Sequence, residues 1–307
     1  MPYVVLTFLS LLWGTSFLLI KIAAGAFDWA GYASGRAGIA AVALIAFALA
    51  RGMRWPRALK SWARMAAISL TGQVGPFLLT GVAAHLTTSA DLALMMGSAP
   101  IFTVVIARLF GLGEVWSGRA AFGLALGFVG VAIALAAPFA AAPDPVNAAA
   151  PGLGRGLALL AAFGYAIGGL LSRDVSRELG ADVAVTGSMS ISALLLCAGA
   201  LAIDGPPSLA GLAATPTGPL AALITLALFN TALAYFVNFR LIETAGATFS
   251  ALNNYIVPCL GVILGALALG EGVGPSAWIG LACVLGGVVL TGSAARVVRP
   301  AAPAAAG

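Results

Sequence analysis

The chain has 307 residues, 61% of them hydrophobic and 8% charged, with a formal net charge of +5. Soluble domains are about a quarter charged, so this composition excludes a water-soluble globular enzyme and points to an all-α membrane protein. The excess of positive charge sits in short breaks between apolar runs, as described below, and gives no ground for a nucleic-acid partner.

Crossing a hydrocarbon core of roughly 30 Å takes about 20 helical residues. Ten runs meet that requirement: Tyr3–Ala24, Trp29–Ala50, Arg64–Ala84, Ser89–Leu112, Gly118–Ala136, Gly154–Ser172, Asp182–Ile203, Pro219–Leu241, Thr248–Leu269 and Ser276–Ser293. The bilayer offers the backbone no hydrogen-bond partners, so each run is read as a helix. The first run is a span rather than a cleaved signal, since no basic residue precedes its apolar core.

The basic residues set the orientation. With the N-terminus in the cytoplasm, Arg51, Arg54, Arg57, Lys60, Arg64, Arg108, Arg119, Arg173, Arg177, Arg240, Arg296 and Arg299 all fall on the cytoplasmic side. Lys21, Arg36 and Arg155 lie toward the other side, so both termini are expected inside. Lys21 and Arg36 run against the bias, and one of them is expected to pair with an acid or carbonyl and fix the first two helices. Carboxylate binding is the secondary reading.

The two halves repeat each other. Aligning Pro100 with Pro258 brings Glu114, Gly123 and Gly130 to within one residue of Glu271, Gly280 and Gly287, while Gly14 matches Gly164 further upstream. Five helices per copy is an odd number, so the second copy enters the membrane the other way up. The loop Arg51–Arg64 carries five basic residues and its counterpart Asp204–Pro219 none. The expected organisation is therefore a first five-helix repeat over 1–136, an external linker over 137–153, an inverted repeat over 154–293 and a disordered cytoplasmic tail over 294–307. Inverted repeats of this kind recur in secondary transporters.

The chemistry-bearing residues are few. A single histidine and three cysteines without ligand spacing make a metal site unexpected. With no nucleophile elbow or paired carboxylates, catalytic residues and cofactors are not expected either. Prolines inside spans lack an N–H, so Pro76, Pro100 and Pro258 should release the carbonyls of Gly72, Met96 and Asn254. Pro100 and Pro258, bent at the same place in both halves, are read as hinges or as static kinks. Asn253 and Asn254 point about 100° apart on a helix, so at least one faces other helices or a wet cavity. Asn230, Tyr235 and Asn238 in the eighth run, and Gln73, Phe77 and Thr80 in the third, add polar and aromatic groups at similar depth. Trp13, Phe17 and Tyr165 stand near the repeated glycines. Such a cavity suits a small, partly apolar solute, with helix glue and plain packing the alternatives for each residue.

Four blocks carry a family resemblance: "LLWGTSFLLIK", "GRAGIAAVAL" with Arg36, "TTSADLALMMGSAPIFTVVIARLFGLGE" with the glycine-spaced helix after it, and the return of these last two elements near Pro258. Together they resemble the EamA group of drug/metabolite transporters, which includes YddG-type exporters of aromatic amino acids. The resemblance implies a multi-pass protein of the bacterial inner membrane, monomeric, that exports small amphipathic solutes such as amino acids through a cavity between its halves. Met95, Met96, Trp13, Tyr165, Tyr235, Asn253 and Asn254 then belong to that cavity. One departure is that Gly97, Ser98 and Ala99 stand where bulky aromatics are expected ahead of Pro100. The first run also lacks the buried acid that related small multidrug exporters use for cations and protons. Asp91, the nearest substitute, is read as a helix cap. Export of another metabolite or drug class, and a non-transporting structural or sensory role, remain the alternatives.

Overall fold

The computed structural model describes residues 2–111, 118–136, 150–205, 214–245, 250, 253, 256–270 and 273–295, and among these it is helical throughout, with no strand. The helices are α1 (Pro2–Ala24), α2 (Trp29–Ala50), α3 (Leu59–Leu86), α4 (Ser89–Leu109), α5 (Gly118–Ala136), α6 (Pro151–Leu179), α7 (Ala181–Asp204), α8 (Thr217–Thr244), α9 (Val257–Leu269) and α10 (Pro275–Ala295). Seven helices among the described residues are long and apolar enough to cross a membrane, and shorter apolar helices, α9 among them, accompany these. The chain is a polytopic membrane protein.

Two helices outrun their apolar stretches. α3 starts at Leu59 rather than Arg64, and α6 continues from the expected Ser172 through Arg173, Arg177 and Glu178 to Leu179. Hydropathy marks the part of a helix that faces lipid, whereas charged turns beyond it are equally able to keep the backbone ladder. α6 also begins at Pro151, inside the stretch read as linker, because proline suits a first helical turn whose N–H groups have no partner. The linker residues 137–149, the tail 296–307, Glu114, Glu271 and Asn254 lie outside the described residues.

Packing joins the first five helices to the last five. α2 lies on α7, α4 on α9 and α5 on α10, while α1 packs on α8 and α9, and α3 and α4 pack on α6. The α5–α10 contact is backbone against backbone. A Cβ at Gly130 would sit 2.7 Å from the Gly280 carbonyl oxygen, and one at Gly287 would sit 2.5 Å from that of Gly123.

Three helices depart from the regular ladder. α3 passes through a π-helical segment at Leu70–Val74, just ahead of Pro76, and α8 through another at Leu228–Leu233. In α8 the Thr231 hydroxyl donates to the Leu226 carbonyl at 2.8 Å, satisfying an oxygen five residues back. α4 breaks at Gly97 and Ser98 into Ser89–Met96 and Ala99–Leu109.

One end of the bundle holds a buried polar network. Lys21 of α1 donates to the carbonyls of Ala84 at 3.1 Å and Thr87 at 2.9 Å, at the C-terminal end of α3, where the helix dipole favours a cation. Lys21 thus takes carbonyl partners, as expected of one of the two out-of-place cations, but it ties α1 to α3 rather than to α2. Thr88, not Asp91, caps α4, accepting from the Asp91 N–H at 3.1 Å. The Asp91 carboxylate instead accepts from Thr87 and pairs with Arg155 of α6 at 3.1 Å, both side chains being buried. Exposed pairs occupy the other end, Arg64 with Glu178 and Arg240 with Asp182 at 2.7 Å, and pairs of that kind are worth at most about 1 kcal/mol.

Removing one member of the buried pair strands its partner. Asp91→Ala should lower stability by about 3–5 kcal/mol, and Asp91→Leu combined with Arg155→Leu should recover much of the loss. Thermal unfolding of the purified variants in detergent, followed by tryptophan fluorescence, checks both.

Candidate functional site

A cavity of about 190 Å³ lies where the first five helices meet the last five. Of the residues expected there, Trp13 and Phe17 reach it from α1, Thr80 from α3, Met96 from α4, Tyr165 from α6, and Tyr235 and Asn238 from α8. Asn253, just ahead of α9, also lines it. Trp13 and Tyr235 meet edge to face with centroids 5.9 Å apart, an arrangement that stabilises aromatic walls beyond their buried area.

Phe77, Met95 and Asn230 are not in the lining. Phe77 is fully buried behind it, its ring perpendicular to that of Tyr235. Met95, next to Met96 on the turning backbone, points into the core and is likewise fully buried. Asn230 is consumed by α1: its amide nitrogen donates to the Leu12 carbonyl, to Thr15 at 2.8 Å and to Ser16 at 3.2 Å. That is the helix-glue alternative, realised at the π segment of α8, where the backbone swings the amide toward α1 rather than the cavity.

The prolines sit at breaks in their helices. Pro76 releases the Gly72 carbonyl, which accepts from the Tyr235 hydroxyl at 3.1 Å, so a cavity aromatic from one half satisfies a backbone defect in the other. Pro258 is at the start of α9 and Pro100 at the start of the second segment of α4. The two breaks touch, for a Cβ at Gly97 would lie 2.9 Å from Pro258 Cγ. This contact accounts for the glycine that replaces a bulky residue there: no side chain fits beneath the proline ring. Ala99, by contrast, lines the cavity.

Polar groups frame the cavity unevenly. Asn253 donates to the Ser250 carbonyl at 2.8 Å, and its Oδ1 is buried without a hydrogen-bond partner among the described residues. Ser250 donates to Asn238 Oδ1 at 2.5 Å. Gln73 also lines the cavity and is tied to α7 through Ser188 at 3.0 Å and Ser192 at 2.5 Å. Arg36 is the one charged side chain in the lining among the described residues. Its lining role was hidden in the sequence, where its place against the charge bias was the visible property. The local signal was Tyr32 four residues earlier on the same helix face, whose hydroxyl accepts from Arg36 at 2.8 Å.

A helical chain with several membrane-spanning segments, closed around an internal cavity of aromatic rings and amides, has the build of a solute transporter. The chain belongs to the EamA-like transporter family, whose model matches residues 1–136 and 152–293. It is 26% identical to an uncharacterized inner membrane transporter, YedA of Escherichia coli K12, over 97% of this chain and 92% of that protein. It is also 26% identical to a probable terminal-alkyne amino-acid exporter of Streptantibioticus cattleyicolor, over 91% of this chain and 89% of the other. The fold matches a protein crystal structure with a TM-score of 0.66 at 20% identity, covering 96% of this chain and 97% of that one.

Because Asn230 holds α8 on α1 rather than facing a solute, Asn230→Leu should cost about 1–3 kcal/mol of stability, the amount lost when buried hydrogen-bond partners are stranded. A lowered melting temperature with unchanged solute affinity in the folded fraction is the expected pair of results.

Proposed function

We propose that this transporter exports small amphipathic solutes, amino acids first among them, across the bacterial inner membrane by alternating access, acting as a monomer. The observation that carries the reading is the cavity between the halves, whose lining combines aromatic rings with the amides of Gln73, Asn238 and Asn253. Rings accommodate an apolar side chain, and amide groups can hydrogen-bond a polar head group. The names of the relatives, an inner membrane transporter and a probable amino-acid exporter, support membrane and solute class alike.

Ten spans arranged as two inverted five-helix repeats, with both termini cytoplasmic, are the architecture we infer. Support comes from the two stretches matched by the family model and from the reciprocity of the packing. Exchanging each helix for the one five places along turns the contacts of α1 with α8 and α9 into those of α6 with α3 and α4. The π segments of α3 and α8 and the breaks at Pro100 and Pro258 exchange in the same way. In such a pair the halves swap inward-open and outward-open shapes, and the touching breaks are the natural hinges.

Single cysteines in the 51–60 loop and the 141–150 linker, in a background lacking Cys197, Cys259 and Cys283, should react with an impermeant maleimide from opposite sides of the membrane. Reaction of both from outside ends the inverted-repeat reading.

Solute-resolved flux into proteoliposomes, with and without a pH gradient, tests the function. Labelled neutral amino acids should exchange across the vesicle membrane. Asn253→Leu should cut that flux roughly 5-fold to 150-fold, the equivalent of about 1–3 kcal/mol, with a nearly unchanged melting temperature. Absence of flux for every amino acid, with another metabolite or drug carried instead, replaces the solute class; absence of any flux favours a structural or sensory role.

A further inference from the structure

Arg36 is 3% exposed and belongs to a cavity that contains no acidic side chain among its described lining residues. Asp91, the buried carboxylate of the adjoining network, is committed to Arg155. A guanidinium carries five N–H donors in a planar fork. Among the described residues two of these have acceptors in hydrogen-bond geometry, Nε on Thr231 Oγ1 and Nη1 on Tyr32, both at 2.8 Å, and the Tyr165 hydroxyl also stands against the guanidinium. The guanidinium carbon lies 4.0 Å from the centroid of the Phe77 ring. An aromatic face and hydroxyl groups steady a cation but do not neutralise it.

The fold itself does not call for a charge here. Arg36 is the eighth residue of α2 and bonds to Thr231, the fourth residue of the π segment in α8. Ser188 is the eighth residue of α7 and bonds to Gln73, the fourth residue of the π segment in α3. The same two elements are therefore joined twice at equivalent positions, once by a neutral serine–glutamine pair and once by an arginine. A neutral pair suffices to anchor a π segment, yet one half spends a buried cation there, and burying an unpaired charge is costly unless something compensates it.

We infer that Arg36 is the carboxylate-recognising residue of the solute site, its open N–H donors forming a charge-assisted fork on the solute's carboxylate. The inference rests on the reading of this cavity as the place where solute binds. It restricts the solutes to those with a carboxylate, zwitterionic or anionic, and excludes cations such as amino-acid amides and esters. It gives Arg36 the secondary reading of the two out-of-place cations, because Lys21 takes the carbonyl partners expected of one of them.

Isothermal titration calorimetry on the purified full-length protein in detergent tests this with matched probes: 3-phenylpropionate against 3-phenylpropionamide, and L-phenylalanine against L-phenylalaninamide. The wild type should bind the acid of at least one pair with an affinity about tenfold or more above that of its amide, the scale of a charge-assisted pair. Arg36→Gln should bring that preference below about threefold, and Arg36→Lys, which keeps the charge without the fork, should fall between. Equal binding of acid and amide by the wild type, binding of no probe, or a preference that survives in Arg36→Gln overturns the inference. If Arg36→Gln does not fold, the wild-type acid-to-amide comparison and Arg36→Lys decide the matter. Failure of the amino-acid reading gives a different result: 3-phenylpropionate binds in an Arg36-dependent way while no amino acid binds or crosses the vesicle membrane.

Discussion

Inside a bilayer the backbone has no water to turn to, so every carbonyl released from the helical ladder needs a donor from the protein. Much of the polar inventory of this chain is spent on that requirement. Tyr235 serves the Gly72 oxygen released by Pro76, Thr231 serves Leu226, Asn230 serves Leu12, and Lys21 serves Ala84 and Thr87. Two of these five bonds, Tyr235 to Gly72 and Asn230 to Leu12, cross from one half of the chain to the other. Two irregularities, the break at Pro76 and the π segment of α8, are therefore also points at which the halves are fastened.

That accounting also separates what was legible in the sequence from what was not. Helix positions were legible because apolar length and the absence of backbone partners leave one solution, and α2 and α5 fall on the expected Trp29–Ala50 and Gly118–Ala136. Helix ends were less so, since α3 and α6 extend as charged turns that hydropathy scores as loop. The π segment in α3 had a marker in Pro76, whereas that in α8 had none, being stabilised by a threonine reaching five residues back. Among the candidate site residues, Trp13, Phe17, Thr80, Met96, Tyr165, Tyr235, Asn238 and Asn253 come together at one cavity. Residue type and depth could not place Phe77, Met95 and Asn230, because whether a side chain faces a cavity or a neighbouring helix depends on helix rotation, which the π segments shift. Arg36 is the instructive case: hydropathy singled it out as misplaced, but its use depends on Tyr32, Phe77 and Thr231, two of which are distant in the chain.

The departure at Gly97–Ala99 shows how a local substitution follows from a contact elsewhere. Pro258 presses on Gly97, and Ser98 turns back to donate to the Met95 carbonyl at 2.6 Å. The segment is small because the opposite break occupies the space, and Ala99 leaves the cavity wall open at that point. The shape of the cavity thus depends on how closely the two breaks approach.

The glycine contact between α5 and α10 has a mechanical consequence. Each helix sets one glycine, Gly130 or Gly287, against a carbonyl of the other, and the two such places are interlocked. Sliding either helix along its neighbour by one residue would force a Cβ into a peptide group, so shear between them is blocked. Tilting the two as one beam keeps both contacts. The pair can therefore act as a stiff strut, and any change in the shape of the bundle must be taken up at its attachments.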